Sequence, residues 1–187
     1  MFKKYILVIS VISAAILFQG CSGNEDKKSS ANEMIAAKEY VLTGLDKKQY
    51  IVKKDGKGFR LDGAESKIVI FDIFATWCPP CRAAASHLSS LQEKYKDDLI
   101  IIGITIEDNI ADAKLQEFAQ TYGAKYLLVN SDQNRRLVNE LVLELELGER
   151  FPIPTMAMYK DAKLINYYVG ATEEEFIDSD IRNALGN

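Results

Sequence analysis

Residues 67–84 read KIVIFDIFATWCPPCRAA, and two physical patterns meet inside them. The first half, KIVIFDIFA, is almost continuously apolar. Such a run suits a strand buried on both faces, in the middle of a sheet covered by helices. The second half holds Cys78 and Cys81, separated by Pro79 and Pro80. Proline suits the first position of a helix, where its missing N–H is no loss. The stretch therefore predicts a buried strand that turns into a helix at the cysteines. That helix is expected to run through Tyr95, with Ala84, Leu88, Leu91 and Tyr95 on its inner face.

Working outward, the alternation of strands and helices continues. LIIIGITI (99–106) reads as a second buried strand, and NIADAKLQEFAQTYG as a helix that Gly123 stops. KYLLVN is a third strand. DQNRRLVNELVLELEL reads as a helix, although VLELEL also alternates like a strand. PTMAMYK and KLINYYVG form a hairpin across Asp161 and Ala162. A last helix is expected to open on a capping box, Thr172 to Glu175, with Ile177, Ile181 and Leu185 facing inward. Upstream, YVLTGLDKKQYIVKKDGKGFRL carries turn signals between β-formers and reads as a hairpin or two short strands. The order implies an α/β fold with a central mixed sheet flanked by helices.

At 187 residues the chain suits one ordinary domain. Its net charge of −4 gives no broad electrostatic reason to bind nucleic acid. The N-terminus has a different character. Lys3 and Lys4 precede the apolar YILVISVISAAILF, and Gly20 precedes Cys21. This is the layout of a secretory signal, and its apolar run is short for a membrane span. LFQGC also resembles a bacterial lipobox, which makes Cys21 the expected site of lipidation. SGNEDKKSS then reads as a flexible tether. The expected organisation is a signal peptide at 1–20, a lipid-linked tether at 21–38 and a domain at 39–187.

With Cys21 so explained, the three cysteines leave one close pair, Cys78 and Cys81. Structural zinc normally needs four ligands, and the chain offers one histidine, His87, and no second cysteine pair. No metal site is expected. A disulfide across two residues closes a tiny loop and stabilises little. A redox couple is the leading reading; copper handling and a plain structural role are the alternatives. At a helix N-terminus Cys78 would be the exposed, attacking sulfur, because free N–H groups and the helix dipole favour its thiolate. Cys81, one turn further in, would be the resolving thiol. Neither Pro79 nor Pro80 can donate a hydrogen bond to Cys78. The less stabilised thiolate points to a lower potential, and so to a reductant or a weakly poised oxidoreductase rather than a strong oxidase. Asp72, six residues before Cys78, interrupts the buried strand. A buried acid there would have a raised pKa, poised to take or return the proton of Cys81.

IFDIFATWCPPCRAA, with FPIPT before the hairpin, resembles the thioredoxin superfamily. More narrowly it resembles the membrane-tethered, extracytoplasmic TlpA/ResA-like thiol-disulfide oxidoreductases. The resemblance implies a thioredoxin-like fold with an N-terminal β extension and a central αβ insertion between Asn109 and Asn130. It implies Cys78 as nucleophile, Cys81 as resolving cysteine and Asp72 as the buried acid. It makes Pro154 a cis-proline opposite the cysteines, with Ile153 offering backbone groups. Trp77, Pro79, Pro80, Ile153 and Pro154 then form the substrate-binding rim. Where relatives usually carry a glutamate and a proline in the active-site helix, this chain has Ala84 and Ser86. The implied activity is reduction of disulfides in exported proteins, apocytochrome c among them, by a periplasmic, membrane-anchored monomer. It needs no cofactor and is re-reduced by a membrane thiol electron carrier. A disulfide oxidase or isomerase is the alternative on the same fold.

Overall fold

A computed structural model describes residues 38–186. The expected signal peptide, the lipidation site Cys21 and nearly all of the tether lie outside the described residues.

The architecture is built around β4 (Ile68–Phe74), whose seven residues are all buried. It pairs in parallel with β5 (Leu99–Thr105), which pairs in parallel with β6 (Leu127–Val129). On its other side it pairs antiparallel with β7 (Thr155–Lys160), which forms a hairpin with β8 (Lys163–Val169). The strand order is β6-β5-β4-β7-β8, a mixed five-stranded sheet. The β7–β8 turn falls at Asp161 and Ala162, both at positive φ, as a two-residue hairpin of the I′ kind demands.

Because side chains alternate along a strand, β4 serves two cores. Ile68, Ile70 and Phe74 face α1 (Pro79–Lys94), α2 (Asp112–Tyr122) and α4 (Glu174–Leu185). Val69, Phe71 and Ile73 face α3 (Asn134–Glu144) and a second sheet. That second sheet holds three antiparallel strands, β1 (Glu39–Thr43), β2 (Gln49–Asp55) and β3 (Gly58–Leu61). It is one strand more than the hairpin expected from sequence, because GFRL continues the ladder after the Gly56 turn. The extension is tied to the edge of the main sheet, where Asn130 donates to the carbonyl of Thr43 at 2.8 Å.

Two local expectations are corrected. The buried face of α1 runs through Cys81, Ala85, Leu88 and Leu91, not through Ala84. The first inward residue is the cysteine itself, and four residues on from it is Ala85. At α4 the N-cap is Glu173 and makes no side-chain cap, so Thr172 and Glu175 do not form a capping box. The helix begins one residue later than the box requires. α2 does end on Gly123 in the left-handed region, as expected.

The shifted α1 face gives a direct test. Ala85→Leu should overpack the core and cost about 1–3 kcal/mol. Ala84→Leu should stay within about 0.5 kcal/mol of the parent. Urea unfolding of the two oxidised variants measures both, and equal effects would contradict the assignment.

Candidate active site

The C-terminal end of β4 passes through Ala75, Thr76 and Trp77 into α1, whose N-cap is Cys78. Pro79 and Pro80 occupy the first two helical positions, so the helix has no N–H to offer there. The first donor it can supply is the N–H of Cys81, which donates to Cys78 Sγ at 3.3 Å. One helix-end hydrogen bond therefore reaches this sulfur in spite of the two prolines.

Cys78 and Cys81 are joined by a disulfide with Cα atoms 5.3 Å apart. Neither is exposed: Cys78 keeps 2% of its surface and Cys81 3%. This corrects the expectation of an exposed attacking sulfur. The N-cap conformation turns Cys78 Sγ inward, onto the N–H of Cys81 and within 3.7 Å of the carbonyl oxygen of Ile153. The exposed parts of the motif are Trp77, at 57%, and Pro79.

Opposite the disulfide, the Ile153–Pro154 peptide is cis. The loop is held from both sides. Thr155 Oγ1 donates to the Pro152 carbonyl at 2.6 Å, and the Gly170 N–H donates to the Pro154 carbonyl at 2.8 Å. The Ile153 carbonyl is thus brought to the Cys78 sulfur; Trp77 and Pro79 are the exposed residues flanking that sulfur along the chain, Pro80 and Ile153 are half-buried, and Pro154 is buried.

Asp72 is buried, with 3% of its surface exposed, on the same face of β4 that packs against α1 and Cys81. Burial pushes its carboxyl up to about 7, and the hydrogen bond from Tyr126 opposes that rise. The Tyr126 hydroxyl donates to Oδ2 at 3.0 Å, while Oδ1 has no hydrogen-bond partner among the described residues. Tyr126 was not evident as a site residue in the sequence. The available signal was Gly103, a glycine inside an apolar strand, which marks a close approach.

Glu107 was equally hidden. Its carboxylate accepts from the Thr76 N–H at 2.6 Å and from Thr76 Oγ1 at 3.1 Å. Arg82 Nε donates to the Thr76 carbonyl at 2.7 Å while its guanidinium lies over the Tyr122 ring. The residue two before Cys78 is thus clamped from the loop that follows β5 and from α1. His87 is exposed on α1, and no group of three or more His, Cys, Asp or Glu side chains suited to a metal occurs among the described residues.

The raised pKa of Asp72 has a signed consequence for stability. Its folded value, about 7, lies above its ordinary value of 3.8. The folded state therefore holds this proton more tightly than the unfolded chain. The stabilisation is complete below about pH 4 and is lost as pH rises towards 7. At about 1.4 kcal/mol per pH unit, the loss amounts to a few kcal/mol. Oxidised Asp72→Asn should lack this term, so its stability relative to the parent should rise between pH 4 and 8. Denaturant unfolding at a series of pH values checks this; parallel curves would contradict it.

The arrangement can be set beside known proteins. The Redoxin family profile matches residues 26–185. The thiol-disulfide oxidoreductase ResA of Bacillus thuringiensis is 25% identical over 177 residues, covering 92% of this chain and 90% of ResA. Thioredoxin-1 of Drosophila melanogaster is 30% identical over 82 residues, 43% of this chain and 71% of that protein. Among solved structures, a thioredoxin-family thiol:disulfide interchange protein from Chlorobium tepidum superposes with a TM-score of 0.60 at 20% identity, covering 80% of this chain and 94% of that one. StoA from Bacillus subtilis superposes with a TM-score of 0.54 at 14% identity, covering 76% and 95%. A disulfide at the head of a helix, a central mixed sheet and these likenesses agree: the chain belongs to the Redoxin family and is a thioredoxin-like, ResA/TlpA-like thiol-disulfide oxidoreductase.

Proposed function

We propose that this oxidoreductase reduces disulfides of exported proteins, with Cys78 as the attacking and Cys81 as the resolving sulfur. The observation that carries the reading is the placing of the Cys78–Cys81 pair at the head of α1, beside the cis Ile153–Pro154 peptide and on the face that holds Asp72. In the reduced enzyme the Cys78 thiolate attacks one sulfur of the substrate disulfide. A mixed disulfide forms and the other substrate sulfur leaves as a thiolate. Asp72 takes the proton of Cys81, and the Cys81 thiolate attacks Cys78. The second substrate sulfur is expelled, and the Cys78–Cys81 disulfide of the present structure results. Two electrons pass to the substrate, and no cofactor is needed.

The direction follows from the helix end. Two prolines withhold two N–H donors from the Cys78 thiolate, which leaves the reduced form less stabilised than a full set of donors would. The retained Cys81 N–H bond is the observation that favours the opposite, oxidising reading. Trp77, Pro79, Pro80, Ile153 and Pro154 form the rim on which a substrate chain lies. Because Cys78 is buried, that rim has to deliver the substrate sulfur to it.

The N-terminal pattern supplies the setting. Removal of residues 1–20 and lipidation of Cys21 would hold the domain, 39–187, at the extracytoplasmic face of a membrane on the tether 21–38. Periplasmic exported proteins, apocytochrome c among them, are then the substrates, and a membrane thiol carrier returns the electrons to a monomeric enzyme. Among the described residues no helix is long and apolar enough to cross a membrane.

A redox titration of the Cys78/Cys81 couple tests the direction. A midpoint near the thioredoxin value of about −270 mV is expected, and one near about −120 mV would reverse the reading. Cys81→Ala should accumulate mixed disulfides through Cys78 with exported proteins, and Cys78→Ala should accumulate none.

A further inference from the structure

We propose that Tyr126 is a positioning residue for Asp72: its hydroxyl holds Oδ2 and leaves Oδ1 as the oxygen that exchanges a proton with Cys81. The inference rests on the reading of Asp72 as the proton partner of Cys81, and adds to it the group that aims the carboxyl.

Three observations converge. First, the two carboxyl oxygens differ: Oδ2 accepts from Tyr126 at 3.0 Å and Oδ1 has no partner among the described residues. A phenol has one proton to donate, so Tyr126 cannot serve both. An unsatisfied buried acceptor is costly, and its retention in a redox site calls for a use.

Second, the backbone makes room for the tyrosine. Asp72 is registered beside Gly103 on β5, and Gly103 beside Leu128 on β6. A Cβ on Gly103 would stand 2.9 Å from Cε2 of Tyr126 and 2.6 Å from Cδ2 of Leu128. The absent side chain is what lets the phenol ring reach the acid.

Third, nothing else competes. At the head of α1 the titratable groups of this core are the N-cap Cys78 and Cys81, tied to each other. α2 and α4 contribute Leu115, Phe118, Ile177 and Ile181 to it; of the tyrosines packed against it, Tyr122 lies beneath the Arg82 guanidinium and Tyr95 donates to Asp178 at 2.7 Å. The strand neighbours of Asp72 are Gly103 and Met156. Tyr168, on β8, donates instead to Asp180 at 2.6 Å. Burial raises the Asp72 carboxyl, and the Tyr126 hydrogen bond opposes that rise.

A hydrogen bond donated to the carboxylate favours the charged form, so its loss should make Asp72 harder to ionise. The test is the ¹³C NMR titration of the Asp72 carboxyl in the oxidised protein, assigned with Asp72→Asn. Tyr126→Phe should raise the midpoint by about one pH unit, since a hydrogen bond to a charged group is the interaction removed. Gly103→Ala should raise it too, with both side chains intact but pushed apart. Replacing Tyr126 by 3-fluorotyrosine, a stronger donor of nearly the same shape, should lower it. In the reduced protein, the low-pH limb of mixed-disulfide resolution should shift in the same sense for each variant. An unchanged midpoint in Tyr126→Phe, or in the fluorotyrosine protein if Tyr126→Phe does not fold, overturns the proposal. The parent reading fails separately: Asp72→Asn would then resolve mixed disulfides at the parental rate and with the parental pH profile, whatever the titration shows.

Discussion

A strand with no exposed residue governs this molecule. β4 has hydrogen-bonded neighbours on both edges and a hydrophobic core against each face. Any side chain in it is cut off from water. For Ile68, Val69, Ile70, Phe71, Ile73 and Phe74 that burial stabilises the fold. For Asp72 the same burial makes ionisation unfavourable, and so moves its titration into the neutral range. The proton affinity of the acid is thus a property of the strand it sits in, not of any charged neighbour.

The same strand decides where the sulfurs lie. Its last residues lead into α1 without a long connection, so the first turn of the helix falls at the C-terminal edge of the sheet. Thr76 is gripped there by Glu107 and Arg82, which fixes the entry to the helix from the loop after β5 and from α1. With the entry fixed, the N-cap position places Cys78 Sγ against Cys81 N–H and near the Ile153 carbonyl. The usual anion-attracting character of a helix N-terminus is reduced by Pro79 and Pro80, yet one donor survives at the third position.

What was legible in the sequence was what depends on neighbouring residues. Continuous apolar runs revealed β4 and β5, the alternating pattern around Asp161 and Ala162 revealed the hairpin, and Gly123 marked a helix end. The acid at position 72 stood out because a charge is rare in such a run. The errors have equally local causes. The sequence pattern puts the α1 face on Ala84, whereas Cys81 is itself the first core residue and the face continues at Ala85. β3 is only four residues long, too short for its pattern to separate from the turn before it. A place at a helix end suggests an exposed Cys78, but it does not say which way the sulfur turns. Tyr126 and Glu107 were out of reach for a deeper reason. Each acts on a residue 54 or 31 positions away, and no periodicity reports a contact of that range.

The buried acid and the buried sulfurs also constrain each other in the proposed reaction. In the reduced enzyme Cys81 carries a proton, and its thiolate would form on the same dry face as the Asp72 carboxylate. Two anions in that space would repel strongly, because a low dielectric weakens neither charge. The state in which both are ionised is therefore the least favourable one. In the proposed reaction the proton that leaves Cys81 passes to Asp72, so no step requires both groups to be ionised together. The attack of Cys81 on Cys78 then discharges the thiolate in the act of bonding, which leaves a neutral disulfide beside a protonated acid. For the next cycle Asp72 has only to return that proton as the disulfide is reduced. A carboxyl with a value near 7 can do both at neutral pH, whereas one at its ordinary value would be an ion too stable to accept the proton. Burial in β4 supplies that rise, and the Tyr126 hydroxyl keeps it from going further.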